Sequence, residues 1–154
     1  MWQRIQTIYL ALAIIACVVC LCLPIAKIVP EDLANSSEVF NLWTIGPDGT
    51  KAFPVCNIIG FVVLLFTCTM GTYSIFLFKN RKLQATICML CIVMLVVWAA
   101  LFCVSAFSGL IDNGGDMKPA FAAGMPIVAM ILFFLARKAI LKDEALVRSM
   151  DRIR

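Results

Sequence analysis

Residues 83–110 read LQATICMLCIVMLVVWAALFCVSAFSGL and contain no charged side chain. A hydrocarbon core about 30 Å thick needs roughly 20 apolar residues in a helix to cross it. Three further stretches of this kind lie at residues 8–28, 54–78 and 119–136, of which the last is the shortest. The runs are longer than barrel strands and do not alternate, so only helices satisfy their backbone in lipid. The sequence predicts an all-α integral membrane protein, a four-helix transmembrane bundle forming a single domain over residues 1–154.

The composition agrees with this class and excludes several others. The 154 residues are 63% hydrophobic and 14% charged, against about 45–50% and about 25% in soluble domains. A soluble enzyme, a disordered tail and a disulfide-rich secreted module are therefore excluded. The chain has no His, which removes the commonest general acid or base and the commonest transition-metal ligand. We expect no catalytic residue, no cofactor and no metal.

The distribution of Lys and Arg predicts the orientation. Ten of the 13 basic residues lie at the N-terminus, in an inner loop at residues 79–82 or in a tail at residues 137–154. The other three are Lys27, Lys51 and Lys118. Both termini are thus expected in the cytoplasm, and the positive charge orients the chain rather than binding nucleic acid. The residues that determine this topology are Lys79, Arg81, Lys82, Arg137 and Lys138.

Two outer loops follow from this orientation, at residues 29–53 and 111–118. Residues 39–45 have strand-like composition and residues 46–49 form a turn sequence, Gly-Pro-Asp-Gly, which favours a short β-hairpin. An irregular loop with Phe40 and Trp43 at the membrane interface explains the same residues equally well. The second outer loop is expected to be a tight turn.

Eight cysteines raise the alternative of a thiol-redox membrane enzyme. Cys17 and Cys20, like Cys88 and Cys91, are three residues apart, which places each pair on one face of a helix. A reactive thiol needs access and nearby positive charge, and the sequence places these pairs within the membrane without an adjacent cation. Because free Cys behaves as a small hydrophobe, we interpret them as packing residues.

Apart from Lys27 near the outer end of span one, the predicted spans contain no charged side chain, although such groups usually mark ion paths and proton relays. A charge-coupled transporter is therefore disfavoured, whereas a facilitator for a neutral solute is not. Thr67 and Gly71, four residues apart, are typical of a close helix–helix seam. Pro126 is expected to kink span four, and the kink either shapes a cavity or fits the bundle.

The tail is the most informative polar stretch. It is expected to continue span four as a cytoplasmic helix with an apolar stripe at Leu146, Met150 and Ile153. A basic helix lying on anionic lipid is the alternative, but its acidic residues are unfavourable there. We therefore predict that the tail docks on another membrane or cytoplasmic protein. The interaction candidates are Asp143, Glu144, Arg148, Asp151 and Arg152.

Three short segments carry a resemblance to a known family. They are QRIQT at residues 3–7, NRKLQ at residues 80–84, and the C-terminal pattern KDE, LVRS and DRIR within residues 142–154. The chain resembles a family of short, uncharacterised four-span bacterial inner-membrane proteins, catalogued as a domain of unknown function. The resemblance covers nearly the whole chain and implies a bacterial inner-membrane setting. It implies no activity, substrate or catalytic residue.

The leading hypothesis for function is a non-enzymatic accessory, assembly or interaction subunit of a membrane complex. The alternative is a facilitator or binder of an uncharged or lipidic molecule in an apolar cavity near Pro126. Thiol-redox catalysis is the less favoured third reading.

The predicted topology is testable by cysteine labelling in a cysteine-free background. A cysteine at Ser149 should react with an impermeant maleimide only after the inner membrane is opened, and a cysteine at Thr50 should react in intact cells. Labelling of position 149 from outside intact cells would overturn the orientation.

Overall fold

The structure is a computed structural model that describes residues 2–29, 37–46, 48–77, 80–113 and 116–151. Within these ranges the side chains of residues 2–4, 29, 108–113, 116, 148, 150 and 151 are left out. Four helices dominate the described part: α1 at Trp2–Cys22, α2 at Val55–Phe76, α3 at Arg81–Asn113 and α4 at Met125–Asp151. Each is long and apolar enough to cross a membrane. At this level the four predicted spans are confirmed.

The helices form a ring in which α1 packs on α2 and α4, and α3 also packs on α2 and α4. One end of the bundle holds the start of α1 and the end of α4, and we call it the tail end. The opposite end carries a small β-sheet, and we call it the sheet end.

Each helix turns one narrow stripe of residues into the bundle, and the members of a stripe alternate three and four residues apart. In α1 the stripe is Gln6, Leu10, Ala13, Cys17 and Cys20, and in α4 it is Ala129, Phe133, Ala136, Ile140 and Asp143, all buried. This 3.5-residue period is that of helices packed knobs into holes, as in left-handed bundles. The spacing explains why Asp143 belongs to the interior.

The bundle is more polar inside than outside. Thr67 and Ser74 are fully buried, whereas Val62, Val96 and Ile131 on the outer faces are about half exposed. Lipid tails are as apolar as Leu, so membrane helices associate through close packing and hydrogen bonds rather than by hiding apolar surface. Gly71 shows the closeness, since a Cβ there would lie 3.1 Å from Ile14 Cγ1 and 3.2 Å from Phe133 Cζ.

The ends of two helices differ from the expected spans. Helix α1 ends at Cys22 rather than near residue 28, because Pro24 disfavours helical geometry in the residue before it and has no N–H to donate. Helix α4 begins at Met125 rather than at residue 119, and it runs without a break to Asp151, so the expected continuation of span four into a helical tail is confirmed. The kink expected at Pro126 was wrong. Pro126 is the second residue of α4, where a helical N–H has no intrahelical partner.

The sheet end also differs from the expectation of at most a hairpin. It carries five antiparallel strands: β1 at Ala26–Val29, β2 at Ser37–Val39, β3 at Thr44–Ile45, β4 at Lys51–Ala52 and β5 at Asp116–Pro119. Their order in the sheet is β4-β3-β2-β1-β5. Strand β1 comes from the end of predicted span one, and β5 comes from the loop expected to be a tight turn.

The register of the sheet explains why these distant segments pair. Ala26 lies between Val39 and Pro119, and Ala26 and Val39 are buried against the bundle. Lys27, Glu38 and Lys118 form the next row across the same strands. Lys27 Nζ lies 3.0 Å from Glu38 Oε1, and both side chains are partly exposed.

The close approach of α2 to its neighbours gives a stability prediction. Gly71→Phe should lower the free energy of unfolding in detergent by at least about 1–3 kcal/mol, because an inserted side chain overpacks a filled seam. Gly124→Phe is the matched control, since a Cβ at Gly124 meets nothing within 4 Å. Equal unfolding transitions for the two variants would contradict the packing described for α2.

Candidate functional site

A cleft lies between α3 and α4 at the sheet end of the bundle. Its volume is about 500 Å³, within the 300–1,000 Å³ range of small-molecule sites. Helix α3 contributes Leu95, Trp98, Ala99, Phe102 and Cys103; the other wall is formed by Pro119, Ala120, Phe121, Ala123, Gly124, Pro126, Ile127 and Met130. The cleft is therefore lined almost entirely by apolar side chains.

The local sequence explains why α4 does not close this space. A 3₁₀ turn at Phe121–Gly124 separates strand β5 from α4, and Ala120, Ala123 and Gly124 supply little side-chain volume on the cleft wall. Phe121 is 77% exposed and Ile127 is 59% exposed. Because these two lining residues lie on the outer surface of the bundle, the cleft opens sideways, toward the surface that lipid would cover.

Trp98 forms the inner wall of the cleft. It is 3% exposed, and its ring lies parallel to that of Phe102, with 5.6 Å between the ring centroids. The indole N–H donates a hydrogen bond to Asn41 Oδ1 at 2.9 Å. The polar atom of the wall is thus engaged by the sheet segment, and the cleft meets only the ring.

Asn41 joins the sheet segment to two helices. Its side chain is buried, and its amide Nδ2 donates to the carbonyl oxygen of Cys20 at 2.6 Å. Carbonyls in the last turn of a helix have no intrahelical donor, so this bond also caps the end of α1. Asn57, at the start of α2, donates to the Phe40 carbonyl oxygen at 3.1 Å. Asn41 and Phe40 therefore connect the end of α1, the start of α2 and the middle of α3.

The tail end contains a second polar arrangement. Gln6 Nε2 donates to Asp143 Oδ2 at 2.7 Å, and both side chains are buried. Arg81 Nη1 donates to the Asp143 main-chain carbonyl oxygen at 3.4 Å. These bonds link α1, α3 and α4, and close the bundle at its tail end.

This arrangement changes the interpretation of the predicted docking residues. Asp143, expected on an exposed acidic face, points into the bundle and is bonded to Gln6. Glu144 is half-buried, and the side chains of Arg148, Asp151 and Arg152 lie outside the described residues. The physical reason is the heptad stripe of α4, which continues through Ile140 to position 143.

The predicted topology determinants also separate into two groups. Lys82 and Lys138 are exposed, Arg81 and Arg137 are half-buried, and Lys79 lies outside the described residues. Arg137 Nε is completely buried and has no hydrogen-bond partner among the described residues. Sequence reasoning missed this because it ended span four at residue 136. The repeating spacing does not reveal Arg137 either, because this residue lies beside the buried stripe of α4 and not on it.

The four cysteines of the two CxxC pairs lie inside the bundle. Cys17, Cys20, Cys88 and Cys91 are at most 1% exposed, and all eight cysteines are free thiols. Cys91 Sγ lies 3.9 Å from the Thr67 carbonyl oxygen, and Cys88 Sγ lies 3.9 Å from Ser74 Oγ. Among the residues that the structure describes, no three His, Cys, Asp or Glu side chains group as metal ligands would.

Taken together, these features define a small, mostly helical protein with four membrane-length helices, a capping sheet and a lateral apolar cleft. The chain belongs to the DUF4293 family, a domain of unknown function, whose family model matches residues 2–153. The resemblance to a family catalogued in this way is thereby confirmed. No curated protein matches the chain.

The contact between Asn41 and Trp98 can be tested by a double-mutant cycle. Trp98→Phe should destabilise the protein by about 1–3 kcal/mol, because it leaves the buried Asn41 oxygen without its donor. The double variant Trp98→Phe/Asn41→Leu should cost less than the sum of the two single variants, with a coupling of about 0.5–3 kcal/mol.

Trp43→Phe is the matched control for this cycle. Trp43 Nε1 is also buried, but it has no hydrogen-bond partner among the described residues. We expect little coupling between Trp43→Phe and Asn41→Leu. The free energy of unfolding is measured in mixed micelles. If the losses of stability in Trp98→Phe and Asn41→Leu simply add in the double variant, the contact between Asn41 and Trp98 is contradicted.

Proposed function

We propose that this protein is a non-enzymatic, multi-pass protein of the bacterial inner membrane that binds an uncharged or lipidic molecule in the cleft between α3 and α4. The observation that carries the proposal is the cleft itself, with its volume of about 500 Å³ and its apolar walls. Apolar pockets of this size usually accept a ligand by burying its hydrocarbon surface.

The chemistry of the walls restricts the ligand. Trp98 presents its ring while its N–H is bonded to Asn41, and the facing side chains of Ile127 and Met130 have no hydrogen-bond donor. A charged or strongly polar group entering this space would lose its water without gaining partners, which is unfavourable. The bound portion is therefore a hydrocarbon chain or an apolar ring.

The direction of the opening restricts the route. The exposed wall residues, Phe121 and Ile127, lie on the outer face of the bundle. A ligand dissolved in the membrane would reach the cleft sideways, without crossing water. With both termini in the cytoplasm, as the basic residues favour, the sheet end and the cleft lie in the outer half of the membrane.

An accessory or assembly subunit of a membrane complex is the second candidate function. It is favoured by the last turns of α4, where Leu141, Leu146 and Val147 are 41%, 53% and 44% exposed. Leu146 and Val147 lie beyond Asp143, which forms the last described contact with α1. A membrane or cytoplasmic protein that docks there would cover apolar surface that the bundle leaves open.

The experiment is purification from native membranes at native expression level, followed by mass spectrometry of what remains bound. We expect the unaltered protein to retain a hydrophobic small molecule and Gly124→Phe to retain at least tenfold less, because the new ring occupies the cleft. Ile131→Phe adds the same ring size on the lipid-facing side of α4, where Ile131 is 56% exposed, and should retain the ligand.

The two candidate functions give different outcomes. Equal retention by Gly124→Phe and by Ile131→Phe, or no small molecule with the unaltered protein, would overturn the cleft proposal. A stoichiometric protein partner that is lost in Leu146→Asp but kept in Gly124→Phe would establish the accessory role instead.

A further inference from the structure

Arg137 stands out among the ionisable residues because part of its charged group is buried without a hydrogen-bond partner in the described part of the chain. It lies six residues before Asp143 on α4, which is about 9 Å farther into the bundle at 1.5 Å per residue. Its Nε is completely buried and lacks a partner among the described residues. Met130, two helical turns before Arg137, lines the cleft between α3 and α4, so Arg137 lies on the side of α4 that faces α3.

The carboxylates nearest in the fold are engaged elsewhere. The Asp143 carboxylate accepts a hydrogen bond from Gln6. The Glu144 carboxylate is not free either. Glu38 is paired with Lys27 at the opposite, sheet end of the bundle. Arg81 adds a second positive charge to the same α3–α4 seam, and its Nη1 bonds to a main-chain oxygen rather than to a carboxylate.

A partly buried cation without a counter-charge is unfavourable in a protein and more so in a membrane. The guanidinium of an arginine keeps its proton in proteins, so the charge itself cannot be removed. The remaining way is to bind an anion. The planar guanidinium matches two oxygens of a phosphate at once, with charge-assisted hydrogen bonds.

We propose that Arg137, together with Arg81, forms an anion-binding site in the α3–α4 seam at the tail end, and that the site binds the phosphate group of a membrane phospholipid. The apolar flanks of the seam favour a lipid as the source of the phosphate. Leu83 on α3 and Phe134 and Leu141 on α4 are each between 41% and 55% exposed, and they would contact the acyl chains.

This site is separate from the cleft between the same helices. Met130, the cleft residue nearest to it along α4, is seven residues from Arg137, or about 10 Å. The inference therefore does not depend on the proposed function of the cleft.

The test uses the full chain, stripped of lipid in detergent, with phosphatidylglycerol added back and counted by native mass spectrometry. Arg137→Gln should lower the bound phosphatidylglycerol about tenfold, as expected when charge-assisted hydrogen bonds are lost. Lys138→Gln removes the same charge from the adjacent, exposed position and should change binding less than twofold. Diacylglycerol, which has the chains but no phosphate, should not bind at this site in the unaltered protein.

Arg137→Lys keeps the positive charge but lacks the planar guanidinium that binds two oxygens at once. It replaces Arg137→Gln in the test if that variant does not fold. It should bind phosphatidylglycerol at least threefold more weakly than the unaltered protein. If millimolar inorganic phosphate lowers the amount of bound phosphatidylglycerol, the site binds phosphate and free phosphate also enters it. If inorganic phosphate leaves that amount unchanged, the lipid is the sole source of the phosphate. Equal losses in Arg137→Gln and Lys138→Gln, full binding by Arg137→Lys, or equal binding of diacylglycerol would each overturn the proposal. None of these outcomes alters the retention expected for Gly124→Phe.

Discussion

A single buried amide, that of Asn41, joins the sheet segment to two helices of the bundle. It donates to the Cys20 carbonyl at the end of α1 and accepts from the Trp98 indole of α3. The neighbouring Phe40 carbonyl accepts from Asn57 at the start of α2. A buried polar group left without such partners would be strongly unfavourable. The segment between β2 and β3 is therefore fixed to the bundle, and the position of Trp98 follows from it.

The interior explains how a chain so rich in apolar residues specifies one arrangement of its helices. In lipid an apolar face does not distinguish inside from outside, so the distinction rests on small and polar side chains at heptad spacing. Gly71 lets α2 approach both Ile14 and Phe133, and Cys17 and Cys91 fill the interior with little volume. The Cys91 sulfur also lies 3.9 Å from the Thr67 carbonyl oxygen.

The sequence was sufficient to predict features that depend on local pattern. The four membrane-length helices follow from uninterrupted apolar runs, and the continuation of α4 into the tail follows from its periodicity. The five-stranded sheet was not predictable in this way, because strand β1 pairs with β5, some ninety residues later in the chain. A local pattern carries no information about that partner. The same limit applies to Asp143, whose bond to Gln6 spans nearly the whole chain, and to the cleft, whose residues come from two helices and the segment between β5 and α4.

The sheet, rather than the helices alone, sets the shape of the cleft. The main-chain N–H of Ala120 donates to the Ile25 carbonyl oxygen at 2.9 Å, so the segment that leads into α4 is held against β1. The chain must then pass through the 3₁₀ turn before α4 can begin at Met125. Two helices packed directly would bring their side chains together at this level, as α3 and α4 do farther toward the tail end. Because β5 is pinned to the sheet and residues 120–124 are small apart from Phe121, the upper part of the seam stays open. The same strands that cap the bundle therefore keep a space between its helices, and Asn41 fixes the aromatic wall on the other side of that space.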